Sequence, residues 1–248
     1  MPFRFTIAIF ALTFLFSCKP TSENRSRQII KKAINAHDRL SKWEKLESFS
    51  FHKETFLFLE DGALESQMVQ RIEIRFKPVY EIKMAWEKDS ISHLAHFDGA
   101  KTRYWLGENE IMNQDFLSAK KRDLDAAAYV MTKPFDLLDG ESALEYLGLY
   151  PLSDVSPYET VQVVDGFSAE GVQVDVWKYY FDPETSLVKA YSVRSADHES
   201  LVINEDLEEV DGILFPKNRE SYRMYSDGRI HFKRAEYTYS GYKLKFEE

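Results

Sequence analysis

From Glu47 onward the chain alternates between apolar and polar positions. Met68, Ile72, Ile74 and Phe76 fall on one side of a period-two pattern, with Arg71, Glu73 and Arg75 on the other. Tyr80, Ile82, Met84 and Trp86 repeat it against Glu81, Lys83 and Glu87. Successive side chains of a strand point to opposite faces, so each run predicts a strand with one apolar face. Six of the ten glycines directly follow an aspartate, at Gly62, Gly99, Gly140, Gly166, Gly212 and Gly228. Asp-Gly between alternating runs signals a hairpin, because both turn positions accept positive φ. Asp182-Pro183-Glu184-Thr185 adds a turn whose second position proline presets. Strands joined this tightly are antiparallel, since parallel ones need long crossovers. The pattern predicts a mainly β (α+β) protein with one large antiparallel sheet.

Two stretches read differently. Ile30, Ala33, Ile34, His37 and Leu40 lie at helical spacing behind Ser26, a candidate cap. His37 sits inside that apolar stripe and reads as a packed core histidine rather than a ligand. Between Asn113 and Gly140, Phe116, Lys120, Leu124, Ala127 and Met131 mark one helical face. Thr132-Lys133-Pro134 then carries the start signal of a second short helix, which brings Phe135 onto the same apolar face. There is no low-complexity linker, internal repeat or second composition regime, so 27–248 reads as a single domain.

The N-terminus has its own grammar. Behind Arg4, the twelve residues Phe5 to Phe16 are almost wholly apolar. That is short of the roughly 20 residues a helix needs to span a bilayer, and it fits a secretory signal. The only cysteine, Cys18, ends the run. Leu15-Phe16-Ser17-Cys18 resembles the bacterial lipobox, with Phe16 bulkier than the usual residue at its position. The resemblance implies cleavage after Ser17 and a diacylglyceryl thioether on Cys18, with the new amine acylated by a palmitate-type chain. Residues 1–17 are then a lipoprotein signal peptide and 18–26 a lipidated tether. Lys19 is not the aspartate that signals inner-membrane retention, so the outer membrane is favoured; its periplasmic or surface face is left open.

Charge narrows the partners. The formal net charge is −9, and removing Arg4 with the signal takes it to −10. An acidic body is repelled by phosphates, which argues against nucleic acid and against adsorption to anionic lipid. The membrane is therefore expected as a partner through the N-terminal anchor. A single thiol excludes an internal disulfide.

No chemistry-bearing motif stands out. His93 and His96 look like a metal pair, but three residues apart on a strand they point to opposite faces. Asp197-His198-Glu199 reads as a solvated turn. Gly166 to Gly171 lacks the G-x-S-x-G spacing of a nucleophile elbow, and no phosphate loop is present. No catalytic residue, metal or cofactor is predicted.

The order of helix, hairpins, helical insertion and further hairpins resembles the LolA/LolB-like superfamily of outer-membrane lipoprotein carriers and receptors. Lys77-Pro78, Phe97-Asp98-Gly99 before Trp105, Tyr179 to Tyr191 and Asp211 to Pro216 carry the resemblance. Pro134 to Gly148 is similar to uncharacterised Bacteroidota lipoproteins of that fold. The resemblance implies an incomplete, strongly curved antiparallel β-barrel with an N-terminal helix and a helical lid insertion over an apolar cavity. It brings no catalytic residues. The candidate ligand-lining residues are Ile72, Ile74, Phe76, Tyr80, Ile82, Met84 and Trp86 from the strands, with Phe116, Leu124, Met131 and Phe135 from the insertion. The expected function is binding of an acyl chain or another hydrophobic molecule, in lipid or lipoprotein handling. The alternatives are a scaffold or partner-binding subunit of an outer-membrane assembly and, behind it, a hydrolase.

Overall fold

The computed structural model describes residues 21–140, 142–152, 157–164, 175–194 and 198–247. The signal, Cys18 and the Gly166 to Gly171 stretch lie outside the described residues. Helix α1 (Ser22–His37) is followed by strands β1 (Leu46–Phe58), β2 (Leu64–Arg75), β3 (Glu81–Lys88), β4 (Ile91–Phe97), β5 (Thr102–Leu106) and β6 (Asn109–Glu110). Helix α2 (Gln114–Thr132) precedes β7 (Ala143–Tyr150), β8 (Tyr158–Val164), β9 (Val176–Phe181), β10 (Val188–Arg194), β11 (Glu199–Val210), β12 (Ile213–Met224) and β13 (Ile230–Phe246).

The strands make one sheet in the order β6-β5-β4-β3-β2-β1-β13-β12-β11-β10-β9-β8-β7, every neighbouring pair antiparallel. Its edges, β6 and β7, do not meet, so the barrel is incomplete. Four of the six Asp-Gly pairs sit at hairpins, including Asp211-Gly212, where φ is +53° and +89°. There a Cβ on Gly212 would meet only the exposed, movable Leu40 side chain, so it is the left-handed conformation that favours glycine. Gly140 instead lies between the turns after α2 and β7.

The predicted alternation sets the concave face. Ile72 pairs with Met84 and Ile74 with Ile82, while Phe51 and Phe49 pair with Ile72 and Ile74 from the other side. All six are buried. Each such side chain contributes about 1.5–3 kcal/mol relative to exposure. Helix α2 closes the β1–β5 wing with Leu117, Leu124, Ala127, Ala128 and Met131. Helix α1 closes the other wing, setting Ile29, Ile30 and Ala33 against Val161, Tyr179 and Val188.

Three local expectations are corrected. Helix α1 starts at Ser22, not Ser26, because Thr21 Oγ1 accepts the Asn24 N–H at 3.3 Å. Ser26 lies a turn inside, fully buried, donating its hydroxyl to the Ser22 carbonyl at 3.0 Å, and the polar segment before the helix is correspondingly shorter. Leu40 leaves the apolar stripe and is exposed: α1 ends at His37, and the Asp38 carboxylate accepts the N–H groups of Lys42 and Trp43 to open a 3-10 turn. After α2 there is no second helix. Phe135, Leu137 and Asp139 each donate their N–H to the carbonyl three residues back. Pro134 cannot continue an α-helical ladder, and Gly140 arrives before a new one is established.

His37 is the packed histidine that its stripe implies. It is 3% exposed, its Nε2 accepts the Val188 N–H at 3.1 Å, and its Nδ1 faces the Leu214 carbonyl at 3.4 Å. That pairing needs the neutral ring with the proton on Nδ1. Burial lowers its pKa to about 4; the Leu214 bond opposes this, and the positive Arg219 assists it. The unfolded ring takes up a proton near pH 6.5, so the neutral ring's stabilisation is complete above that value and is lost as pH falls toward about 4. The gap corresponds to about 3 kcal/mol. In urea titrations at pH 7 and pH 4.5, the wild type is expected to lose about 2 kcal/mol more than His37→Gln, which supplies a donor and an acceptor without titrating. Equal losses would reject this account.

Candidate functional site

The two ends of the concave face differ in packing. At the end where β1 begins, aromatic rings fill the space. Trp43 stacks on Phe135 at 3.9 Å between ring centroids, and Phe215 lies 4.8 Å from Tyr242 and 5.4 Å from Phe49. Farther along the strands that packing gives out, leaving a cavity of about 400 Å³ between α2 and the sheet. Met68, Met84, Trp86, Val202 and Tyr239 line its sheet side, and Ala126, Ala127 and Val130 line its helix side. Helix α2 stands where it does because Asn113 caps it, accepting the Phe116 N–H at 2.8 Å.

All eleven predicted lining residues belong to one apolar cluster, with different surroundings. Met84 and Trp86 line the cavity. Ile72, Ile74, Ile82, Leu124, Met131 and Phe135 are buried in the filled part beside it. Phe76, Tyr80 and Phe116 are half-buried against the same cluster.

The polar side chains of the cavity come from elsewhere. Lys53 of β1 lies with its Nζ 4.8 Å from the Tyr237 ring centroid, and Lys120 pairs with Asp123 at 2.7 Å. Gln70 donates to Met84 Sδ at 2.9 Å. Burial pushes the phenols of Tyr191 and Tyr237 above their ordinary range, keeping them neutral. Behind Tyr191 and Tyr239 lies Arg219, 4% exposed, whose guanidinium carbon is 5.6 and 5.4 Å from their ring centroids. Its Nε donates to Asn204 Oδ1 at 2.7 Å and its Nη2 to the Val130 carbonyl at 3.0 Å. Sequence reading had no signal for Lys53, Arg219 or the tyrosines of β10 and β13, because long-range register brings them together.

His93 and His96 serve different neighbours. His93 Nδ1 is 2.5 Å from the Tyr104 hydroxyl and its ring stacks on Trp86, whereas His96 Nε2 meets Glu81 Oε1 at 2.6 Å. Of the Asp197-His198-Glu199 stretch, Glu199 opens β11 and accepts from Arg194 across the β10–β11 pair. No group of three or more His, Cys, Asp or Glu among the described residues is placed to hold a metal ion. No described helix is long and apolar enough to cross a membrane. A second hollow of about 650 Å³ lies on the sheet, bordered by Val69, Leu94 and Trp105.

Residues 4–215 match the model of a family of unknown function, DUF6503. The chain belongs to that family. No curated protein matches this DUF6503 chain. Among solved structures it is similar to a LolA superfamily protein from Nitrosomonas europaea, with a TM-score of 0.56 and 10% identity over 90% of this chain and 94% of that one. A DUF1329 family protein from Desulfovibrio piger gives 0.58 and 8% over 91% and 94%. A domain described as an outer membrane lipoprotein-sorting protein, from Vibrio parahaemolyticus, gives 0.51 and 10% over 89% and 92%. At these identities the likeness establishes the fold, and the fold of this DUF6503 member is LolA-like.

Proposed function

We propose that this chain is a lipid-anchored protein of the bacterial envelope that shelters an acyl chain or another hydrophobic molecule beneath α2. The observation that carries the reading is the cavity, about 400 Å³ with mainly apolar walls and a few charged groups. Ligand sites run from roughly 300 to 1,000 Å³ with this kind of lining. The described residues of its lining include no Ser, Thr, Cys or His, which supports binding over hydrolysis. The lipoprotein-sorting description of one fold neighbour points toward lipid handling. The lipobox-like Leu15 to Cys18 supports attachment through Cys18, most economically at the outer membrane. Residues 27–248 then act as one binding domain, with α2 as its lid.

Mass spectrometry of the protein purified from its own membrane tests both halves. The N-terminal peptide is expected to begin at an acylated Cys18, and Cys18→Ala to release the protein from the membrane. A stoichiometric apolar small molecule is expected in the non-covalent fraction. An unmodified Cys18 would sink the anchor, and absence of any bound apolar molecule would sink the ligand reading. A partner-binding role is the second reading, favoured by the hollow beside Val69, Leu94 and Trp105. A protein that co-purifies stoichiometrically, without lipid, would select it.

A further inference from the structure

The cavity wall and the layer behind it hold an imbalance of charge. Arg219 remains protonated in any protein environment. Buried cations are normally paired with an acid, because desolvating a lone charge is costly. Arg219 has no carboxylate at ion-pair distance among the described residues; its partners are the Asn204 amide, the Val130 carbonyl and the Tyr239 side chain. Its third nitrogen, Nη1, is buried and has no hydrogen bond of good geometry among the described residues. The guanidinium lies directly behind Tyr191 and Tyr239, and the carbonyl it binds belongs to Val130; all three residues line the cavity.

A second cation faces the same space. Lys53 lines the cavity, rests over Tyr237 and has no acidic partner among the described residues. The remaining charges of the lining, Lys120 and Asp123, neutralise each other at 2.7 Å. A chain whose formal net charge is −9 thus places two positive charges without a carboxylate partner at its apolar cavity, Lys53 in the wall and Arg219 behind the tyrosines of the wall. A purely structural Arg219, tying α2 to β12, accounts for the Val130 bond but not for Nη1 or for Lys53.

We propose that the cavity takes a single-chain amphiphile with an anionic head, its chain among Met68, Met84 and Val130 and its head drawn to Lys53 and Arg219. The proposal rests on the apolar-ligand reading above and adds the class of ligand. A volume of about 400 Å³, near the lower end of the range for ligand sites, suits one chain. The low dielectric behind the tyrosine wall strengthens the attraction between head and guanidinium.

The test compares a dansyl-tagged medium-chain carboxylic acid with the alcohol of the same length at pH 7.5. Each is titrated against the full chain in phosphatidylcholine nanodiscs, with dansyl emission excited through tryptophan and empty nanodiscs as the blank. The acid is expected to bind at least about tenfold more tightly, the scale of one charge-assisted hydrogen bond. Lys53→Met and Arg219→Gln are each expected to narrow that ratio several-fold, the acid's affinity falling further than the alcohol's. If Arg219→Gln does not fold, Lys53→Met at the cavity wall decides. Equal binding of acid and alcohol, or a preference that survives the substitutions, overturns the anionic head and leaves the apolar-ligand reading standing. Binding of neither probe overturns both.

Discussion

Phe215→Ala is expected to destabilise the protein by about 3–5 kcal/mol, the range for removing a large aromatic side chain from a packed core. Phe215 is fully buried, and its ring sits among Tyr242, Phe49 and Trp43 at 4.8, 5.4 and 6.4 Å. Trp43 is itself fixed on Phe135, so the vacated volume has stiff walls and little means of collapsing. Denaturant unfolding of wild type and variant, at unchanged m-value, measures the loss. A cost below about 1 kcal/mol would mean that this end of the half-barrel is loosely filled, against the packing described above.

Ala127→Leu is expected to do the reverse: to leave stability within about 1 kcal/mol of wild type while lowering affinity for an acyl probe at least about tenfold. Ala127 is a buried α2 residue that faces the cavity, so the added carbons enter empty space. Leucine is nearly as good a helix former as alanine, so α2 itself bears little penalty. Fluorescent acyl-probe titration beside an unfolding curve reads both quantities. Undiminished binding would place the ligand outside this cavity, and a large loss of stability would show that the space beside Ala127 is not there. The two substitutions together separate the filled end from the hollow one.

That division was not legible in the sequence, although much of the frame was. Period-two runs around Ile72 and Ile82, with the Asp-Gly turns at Gly62 and Gly99, gave the β1–β5 wing and its apolar face because those pairings are local. The helical spacing of Leu124, Ala127 and Met131 gave α2. Alternation identifies the inner face but does not tell where it is filled. The difference depends on which rings arrive from Trp43, Phe135 and β12, three segments remote from one another in sequence. In β13 even the alternation breaks. Tyr237 and Tyr239 share a face with Ala235, and a register shift at positive-φ Gly241 lets Tyr242 and Leu244 turn inward instead. Such a bulge inserts one residue and exchanges the faces beyond it. Arg219 gives no local hint either, since Asn204 and Val130 lie 15 and 89 residues away.

The strand order has a kinetic consequence. The sheet consists of two meanders, one running outward from β1 to β6 and the other returning from β7 to β13, and each advances by pairing a strand with the one before it. They are stitched together along β1 and β13, where Leu46 meets Phe246 and Phe49 meets Leu244. Loop-closure entropy makes such distant pairings the slow, late step of folding. Until the last seventeen residues of sheet are in place, β1 and β12 each present an open edge in the middle of the molecule. The two wings of the half-barrel are therefore joined by β13 alone.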